Sequence, residues 1–258
     1  DNRGGAGGLV GADTVAKAVP DGYTLLLSNP GPSVNSPLLA KSAPYKVDDF
    51  VPVVFFGYAP LMIFTNPALP VRNPKEMMDY LKANAGKVNW GSSGTGSSLH
   101  IGLALFQAAT GVNVTHIPYK GTAPGLTDVV GNQVQVMISA LPGTVPFVNS
   151  KRVVALATTG KKRSAFLPDL PTLAESGVPG YEFDTWYGLH APSKVSKDII
   201  AKLNGEITKA LSRPEVKDQL FKQGLEAETS SPEDFAKFVK SEVAKMAKII
   251  KASGAKPE

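Results

Sequence analysis

The sequence predicts an α/β protein of two lobes, each a mostly parallel sheet flanked by helices. Two observations lead to this fold class. Between residues 87 and 158, short apolar strands alternate with helices, and after Ser196 three amphipathic helices follow one another without a strand. Alternation of the first kind is typical of a parallel sheet covered on both faces. The terminal helices must bury their apolar stripes elsewhere, so we expect the chain to return to the first lobe.

The alternating segment supplies the clearest elements. Four strands are predicted at 88–91, 112–118, 134–139 and 153–158, with helices at 98–110, 123–130 and 144–149. Earlier in the chain, the apolar run Val51–Phe64 is interrupted by two prolines and a glycine. This run predicts two buried strands joined by a turn. The short apolar run Tyr23–Ser28 predicts a further strand.

These elements set the boundaries of the two lobes. We predict that residues 1–91 form the first part of lobe one, that residues 92–186 form lobe two, and that residues 187–258 return to lobe one. The crossings between the lobes are then expected near Trp90–Ser92 and near Thr185–His190.

The start of the chain is unusual. The glycine-rich run Gly4–Gly8 leads into a helical stretch through Lys17, but no strand precedes the run. Glycine-rich turns into helices ordinarily follow a strand. We therefore expect that the N-terminal part of lobe one is missing from this sequence and that the native product extends upstream of Asp1.

Composition excludes several classes of function. The 258 residues contain no cysteine, which rules out disulfide scaffolds, thiolate metal sites and cysteine nucleophiles. The three histidines are not at metal-ligand spacing, so we predict no metal and no other cofactor. The net charge of +5 is mild, and the basic residues near the C-terminus interleave with acidic ones. This pattern argues against a nucleic-acid partner.

The most informative segment is the loop Gly91–Ser98, between a predicted strand and a predicted helix. Such a loop presents backbone N–H groups and the positive end of a helix to an anion. A phosphate-binding loop would need lysine where this chain has Ser97, and a nucleophile elbow would need glycine at Thr95. The loop therefore favours a weaker anion, such as a carboxylate, held by neutral donors. A tight turn that simply requires glycine is the alternative.

Two further loops of small neutral residues follow predicted strands, at Pro118–Pro124 and at Ser139–Thr144. The carboxyl ends of parallel strands meet at one edge of a sheet, where α/β folds bind ligands. Hydroxyl and amide groups at that edge suit a carboxylate, because an ionised acceptor strengthens its hydrogen bonds.

An enzyme is the main alternative from the residues alone. Ser93 and His100 could act as the nucleophile and base of a carboxylester hydrolase, but no acid that would orient the histidine is identifiable. Asp128 lies on a predicted helix and Asp184 lies far along the chain. We therefore predict no catalytic residues and no enzymatic activity.

Several motifs resemble one known family, the substrate-binding proteins of tripartite tricarboxylate transporters, also called Bug receptors. The similar segments are Val88–Ser97, Pro118–Pro124, Leu167–Thr172 and Trp186–Leu189. The resemblance covers essentially the whole chain. It implies a periplasmic-binding-protein-like (type II) flytrap, located in the periplasm, that closes on a small carboxylate. It also implies membrane permease subunits as partners and a monomeric receptor.

Carried over residue by residue, the resemblance places one ligand carboxylate in lobe two, against Ser92, Ser93, Gly94, Gly96 and Ser97. Thr122 and Ala123 would close the same end of the site. In lobe one, the resemblance places Ser28, Asn29 and Ser33 in a loop facing the cleft. That loop departs most from the family pattern, so we expect it to carry the ligand selectivity.

Two questions stay open at this point. The same fold could serve as a sensory module for a signalling partner instead of a transport receptor. The ligand could be citrate, a linear dicarboxylate, an aromatic acid or an acidic amino acid.

Overall fold

The computed structural model describes residues 1–39 and 43–253, so residues 254–258 of the predicted segment 187–258 lie outside the described part. The strands are β1 Leu26–Ser28, β2 Phe50–Ala59, β3 Leu61–Thr65, β4 Asn89–Ser92, β5 Thr115–Pro118, β6 Val136–Ala140, β7 Val154–Thr158 and β8 Thr185–Pro192. The α-helices are α1 Leu9–Ala16, α2 Ser36–Leu39, α3 Pro74–Ala83, α4 Ser98–Thr110, α5 Thr122–Val130, α6 Val145–Asn149, α7 Lys197–Leu211, α8 Pro214–Lys222 and α9 Pro232–Ser253.

The first sheet has three strands in the order β1-β8-β2, and both pairs are antiparallel. Leu26 pairs with His190, and Ala59 pairs with Thr185. The sequence predicted a mostly parallel sheet here. The difference arises because an apolar run shows that a strand is buried but not in which direction its partner runs.

The second sheet has five strands in the order β5-β4-β6-β3-β7. Strand β4 is parallel to β5 and to β6, whereas β3 is antiparallel to both β6 and β7. The four strands predicted between residues 88 and 158 therefore all run in one direction, as expected. The sheet is mixed because β3 is inserted between two of them. The α/β class with sheets flanked by helices is confirmed, and the strand directions are corrected.

The position of β3 also moves the first crossing between the sheets. The crossing was predicted near Trp90–Ser92, but strand pairing places it at Pro60, the single residue between β2 and β3. All five residues of β3 are buried, so no alternation of polar and apolar residues distinguishes its two faces. The second crossing precedes β8, which begins at Thr185.

The terminal helices pack back onto the first sheet. Helices α7 and α9 contact β2, and α9 also contacts α4. Phe235 of α9 is fully buried against Trp186 of β8, with ring centroids 5.6 Å apart and planes perpendicular. The Trp186 indole N–H donates a 3.1 Å hydrogen bond to Glu242 of the same helix. Within the described part of the chain, no helix is long and apolar enough to cross a membrane.

Candidate ligand-binding cleft

A cleft of about 630 Å³ lies between the two sheets. The first-sheet side contributes residues 23–27 with Asn29 and Pro32, and the crossings contribute Leu61, Thr185 and Tyr187. The second-sheet side contributes Ser93, Ser97, Ser98, Leu99, Gly121, Thr122 and Ala140. The cleft therefore opens at the edge of the second sheet that the sequence predicted for ligand binding.

Three backbone amides of the glycine–serine loop are already used in hydrogen bonds within the loop and to α4. Gly94 N–H donates to Ser92 Oγ at 3.2 Å, and Gly96 N–H donates to His100 Nδ1 at 3.2 Å. The Ser97 N–H donates to the Gly94 carbonyl oxygen at 3.1 Å. These three amides hold the loop in shape, so they are not the ligand donors that the sequence suggested.

Two residues of the loop have conformations that only glycine adopts easily, with φ of 119° at Gly94 and 79° at Gly96. Ser97 ends the loop and caps α4, since its Oγ accepts the His100 N–H at 3.2 Å. Ser92 is fully buried, with its Oγ 2.6 Å from His116 Nε2. Ser92, Gly94 and Gly96 therefore shape the loop, while Ser93 and Ser97 face the cleft.

The loop after β5 contributes Thr122, the first residue of α5, to the cleft. Gly121, with φ of 115°, turns the chain there. Tyr119 is held behind it by a 2.7 Å hydrogen bond from its hydroxyl to Asp128. Burial, together with that bond, raises the pKa of Tyr119. Ala123 is exposed and is not among the described residues that line the cleft.

Of the three lobe-one residues predicted to bind the ligand, Ser28, Asn29 and Ser33, only Asn29 is among the described residues that line the cleft. Ser28 is buried, with its Oγ 2.6 Å from His190 Nδ1. Burial lowers the pKa of His190 to about 3, so this pair is neutral and belongs to the core. Asn29 lines the cleft, and its Oδ1 accepts the Gly31 N–H at 2.9 Å. Ser33 is buried and is not one of the described lining residues.

A group of buried polar atoms that have no hydrogen-bond partner among the described residues lies beside the cleft, in the lobe-one segment and in the glycine–serine loop. On the lobe-one side the atoms are Ser33 Oγ, both amide atoms of Asn35 and Ser36 Oγ, and on the loop side they are Thr95 Oγ1 and Ser98 Oγ. The two sides are in contact, because a β-carbon on Gly96 would lie 3.1 Å from Ser36 Oγ. Each unsatisfied buried group costs about 1–3 kcal/mol. A polar ligand or ordered water that reached these atoms would recover that cost.

Sequence reasoning did not predict the contribution of the N-terminal segment. Residues 1–5 with Gly7 and Gly8 line the cleft, and Arg3 is the one Lys or Arg among the described lining residues. Gly7, with φ of 63°, packs against the loop so closely that a β-carbon there would overlap the Thr95 carbonyl oxygen. The run Gly4–Gly8 was the available signal, since consecutive glycines permit a close approach of two backbones.

The hydrolase alternative finds little support in the geometry. The His100 Nδ1 atom already accepts the Gly96 N–H, and the His100 ring stacks on His116 with centroids 4.5 Å apart. Within the described residues, no group of three or more His, Cys, Asp or Glu side chains could hold a metal ion.

Two sheets joined by short crossings, with a polar cleft between them, define the class of periplasmic-binding-protein-like folds. Solved structures agree. An R. palustris protein solved with adipate has a TM-score of 0.96 and 34% identity, covering 100% of this chain and 87% of that one. The periplasmic binding protein BugD has a TM-score of 0.95 and 35% identity, covering 100% of this chain and 87% of that one.

Residues 1–255 match the family described as the tripartite tricarboxylate transporter family receptor. Protein BugT of Bordetella pertussis is 36% identical over 261 residues, which cover 99% of this chain and 79% of BugT. The chain belongs to this family of solute-binding receptors, and the resemblance and fold class predicted from the sequence are confirmed.

Proposed function

We propose that this chain is a periplasmic receptor that captures a linear dicarboxylate between its lobes and delivers it to the permease subunits of a tripartite tricarboxylate transporter. The observation that carries the proposal is the set of buried hydroxyl and amide groups beside the cleft that have no hydrogen-bond partner among the described residues. Neutral donors of this kind suit a carboxylate, which accepts strong hydrogen bonds from them. The likeness to a protein solved with adipate supports the same class of ligand.

The lining of the cleft favours a ligand with an apolar middle. Leu61, Leu99 and Ala140 supply apolar surface, and Asp1 and Arg3 are the charged side chains among the described lining residues. An aliphatic chain with a carboxylate at each end matches this distribution. A densely charged tricarboxylate such as citrate would bring three charges into a cleft where Arg3 is the one Lys or Arg side chain among the described lining residues, which is costly. In this proposal the receptor acts as a monomer and catalyses no reaction.

Thermal unfolding with a carboxylate library tests the proposal directly. We expect adipate and dicarboxylates of similar length to raise the melting temperature, with a shift that grows with concentration as mass action requires. At a ligand concentration of 100 times Kd the gain is about 2.7 kcal/mol. Citrate should give a smaller shift and ATP none. A shift with ATP, and none with any carboxylate, would overturn the proposal.

Two side chains that face the cleft should contribute directly to affinity. We expect Ser93→Ala and Thr122→Ala each to weaken binding by roughly 1.5–3 kcal/mol, the value of a hydrogen bond to a charged group. Calorimetric titration with the best ligand of the screen measures this effect. Ser241→Ala, which removes an exposed hydroxyl on α9, is the matched control and should bind normally. Undiminished affinity in both cleft variants would place the site elsewhere.

Asn35 should have opposite effects on stability and on binding. Its side chain is fully buried, and neither amide atom has a hydrogen-bond partner among the described residues. Asn35→Leu keeps a similar shape and removes two unsatisfied groups, so the ligand-free protein should melt at an equal or higher temperature. If ligand or bridging water satisfies this amide in the complex, the same variant should bind the dicarboxylate at least tenfold more weakly. Loss of stability together with unchanged affinity would contradict this role.

A further inference from the structure

A second cavity, of about 150 Å³, lies on the opposite side of the crossings from the ligand cleft. Asp184 lines this rear cavity, whereas its neighbour Thr185 lines the cleft. Successive residues of an extended chain point to opposite faces, which accounts for the division. The rear cavity has Tyr58 and Glu228 on the first-sheet side, and Gly160 and Ala165 on the second-sheet side.

Asp184 contacts both crossings. The chain passes between the sheets at Pro60 and again just before Thr185, and the two passes are bound together. Thr159 N–H donates to the Leu61 carbonyl oxygen at 3.0 Å, and Phe183 N–H donates to the Thr159 carbonyl oxygen at 2.9 Å. The Leu61 N–H in turn donates to the Asp184 carboxylate. A β-carbon on Gly160 would lie 3.0 Å from each Asp184 carboxylate oxygen, so no side chain separates them.

The surroundings of Asp184 do not compensate its charge fully. Burial and, to a smaller extent, the charge of Glu182 raise the pKa of Asp184 to about 6, against the opposing effects of Lys245 of α9 and the Leu61 N–H. Asp184 Oδ1 is buried without a hydrogen-bond partner among the described residues. The other titratable groups that line the rear cavity are Tyr58, Lys162, Arg163, Glu226 and Glu228. Ionised Asp184 therefore depends on water in the cavity for much of its solvation.

Each sheet and the helices packed on it form one body, and the two bodies are joined by the short crossings. When such bodies rotate about the crossings, a movement that opens the cavity on one side of them narrows the cavity on the other side. We propose that the rear cavity narrows when the cleft opens, and that ionised Asp184 opposes this narrowing and so holds the cleft closed. The inference does not depend on which solute the cleft binds.

The direction of the pH effect follows from the two environments of Asp184. In the structure described here its pKa is about 6, and narrowing of the cavity would remove more water and raise the pKa further. The form with the lower pKa gains stability as pH rises. The closed form is therefore favoured as pH rises through about 6, and opening is favoured as pH falls. A difference of one unit between the two pKa values changes the closing equilibrium about tenfold.

The distance between the two bodies, measured without ligand, tests this inference. The chain has no cysteine, so Lys202→Cys on α7 and Thr127→Cys on α5 provide two specific spin-label sites on exposed positions. We expect the label distance distribution to shift towards longer distances between pH 8 and pH 5. In Asp184→Asn the distribution should already be long at pH 8 and should not change with pH. Glu182→Gln, a matched removal of an exposed carboxylate nearby, should retain the pH response.

Ala165→Trp tests the geometry separately from the titration. Ala165 is exposed and lines the rear cavity, so an indole there should occupy space that opening requires. We expect this variant to shift the distances towards the closed form at both pH values. An unchanged or longer distance would overturn the opposed movement of the two cavities. A pH response retained in Asp184→Asn, or absent from the parent, would overturn the role of Asp184. All these distances are measured without ligand, so they do not depend on whether the cleft binds a dicarboxylate.

Discussion

Asp184→Asn is expected to raise the free energy of unfolding at pH 8 by about 3 kcal/mol. The reason is the pKa of Asp184, which burial raises from 3.8 to about 6 in the folded chain. The shift means that folding penalises the ionised carboxylate, at about 1.4 kcal/mol for each pKa unit. In the parent protein, stability should therefore fall as pH rises from about 4 to 6, and the penalty should be fully present above pH 6. Asparagine has no such penalty and retains an oxygen that can accept the Leu61 N–H.

Denaturant unfolding at a series of pH values measures the difference between the two proteins. The variant should be more stable at pH 8, and the advantage should nearly disappear at pH 3.5, which is below both pKa values, so that Asp184 is mostly protonated in the folded and in the unfolded parent. Glu182→Gln serves as the control, because Glu182 is exposed and should change stability little. Parallel stability profiles for Asp184→Asn and the parent would contradict the burial of a charge at the crossing.

Gly7→Ala is expected to reduce ligand affinity at least tenfold and to lower the melting temperature by several degrees. A β-carbon at Gly7 would overlap the Thr95 carbonyl oxygen and would lie 3.0 Å from Ser97 N. Backbone atoms cannot rotate away as a side chain can, so the N-terminal segment would have to separate from the glycine–serine loop. The positive φ of 63° adds about 1–2 kcal/mol for any residue other than glycine.

Gly111→Ala separates the cost of the positive φ from the cost of the overlap between the new β-carbon and the loop. Gly111 has a similar φ of 70°, and a β-carbon there would meet no atom within 4 Å. This control should therefore lose stability through the backbone term alone and should bind ligand normally. Calorimetry and thermal unfolding of the three proteins give the comparison. Equal affinity in Gly7→Ala and Gly111→Ala would show that the contact between the N-terminal segment and the loop does not form part of the site.

The sequence predicts the elements of the second sheet well because each has a strong local signal. Helix α4 begins and ends at the bounds that the apolar spacing predicts, Ser98 and Thr110. Strands β4 to β7 each lie within two or three residues of their predicted positions. Sheet membership is a different matter. The residues of β3, Leu61–Thr65, do not indicate that its partners are β6 and β7, because those strands follow some 70 to 90 residues later in the chain.

The candidate site shows the same limit. Of the predicted residues, Asn29, Ser93, Ser97 and Thr122 line the cleft. Composition identified loops rich in possible donors but not how each donor is used. The bond from Gly96 N–H to His100 Nδ1 and the pairing of Ser28 with His190 satisfy groups that sequence reasoning had assigned to the ligand. Asn35 and Ser36 were not predicted, because a polar residue in a proline-rich loop is ordinarily exposed.

Pro60 joins two strands of different sheets, and this has a consequence for how the chain folds. The first sheet needs β8 to connect β1 and β2, so it cannot form until residues 185–192 have been made. The second sheet takes all five of its strands from the continuous stretch 61–158, which is made before β8. The first sheet therefore depends on a pairing across a long loop, and closing such a loop makes its formation slow. During synthesis, β1 and β2 expose apolar strands without partners for more than a hundred residues, and a chaperone that shields them would act before β8 emerges.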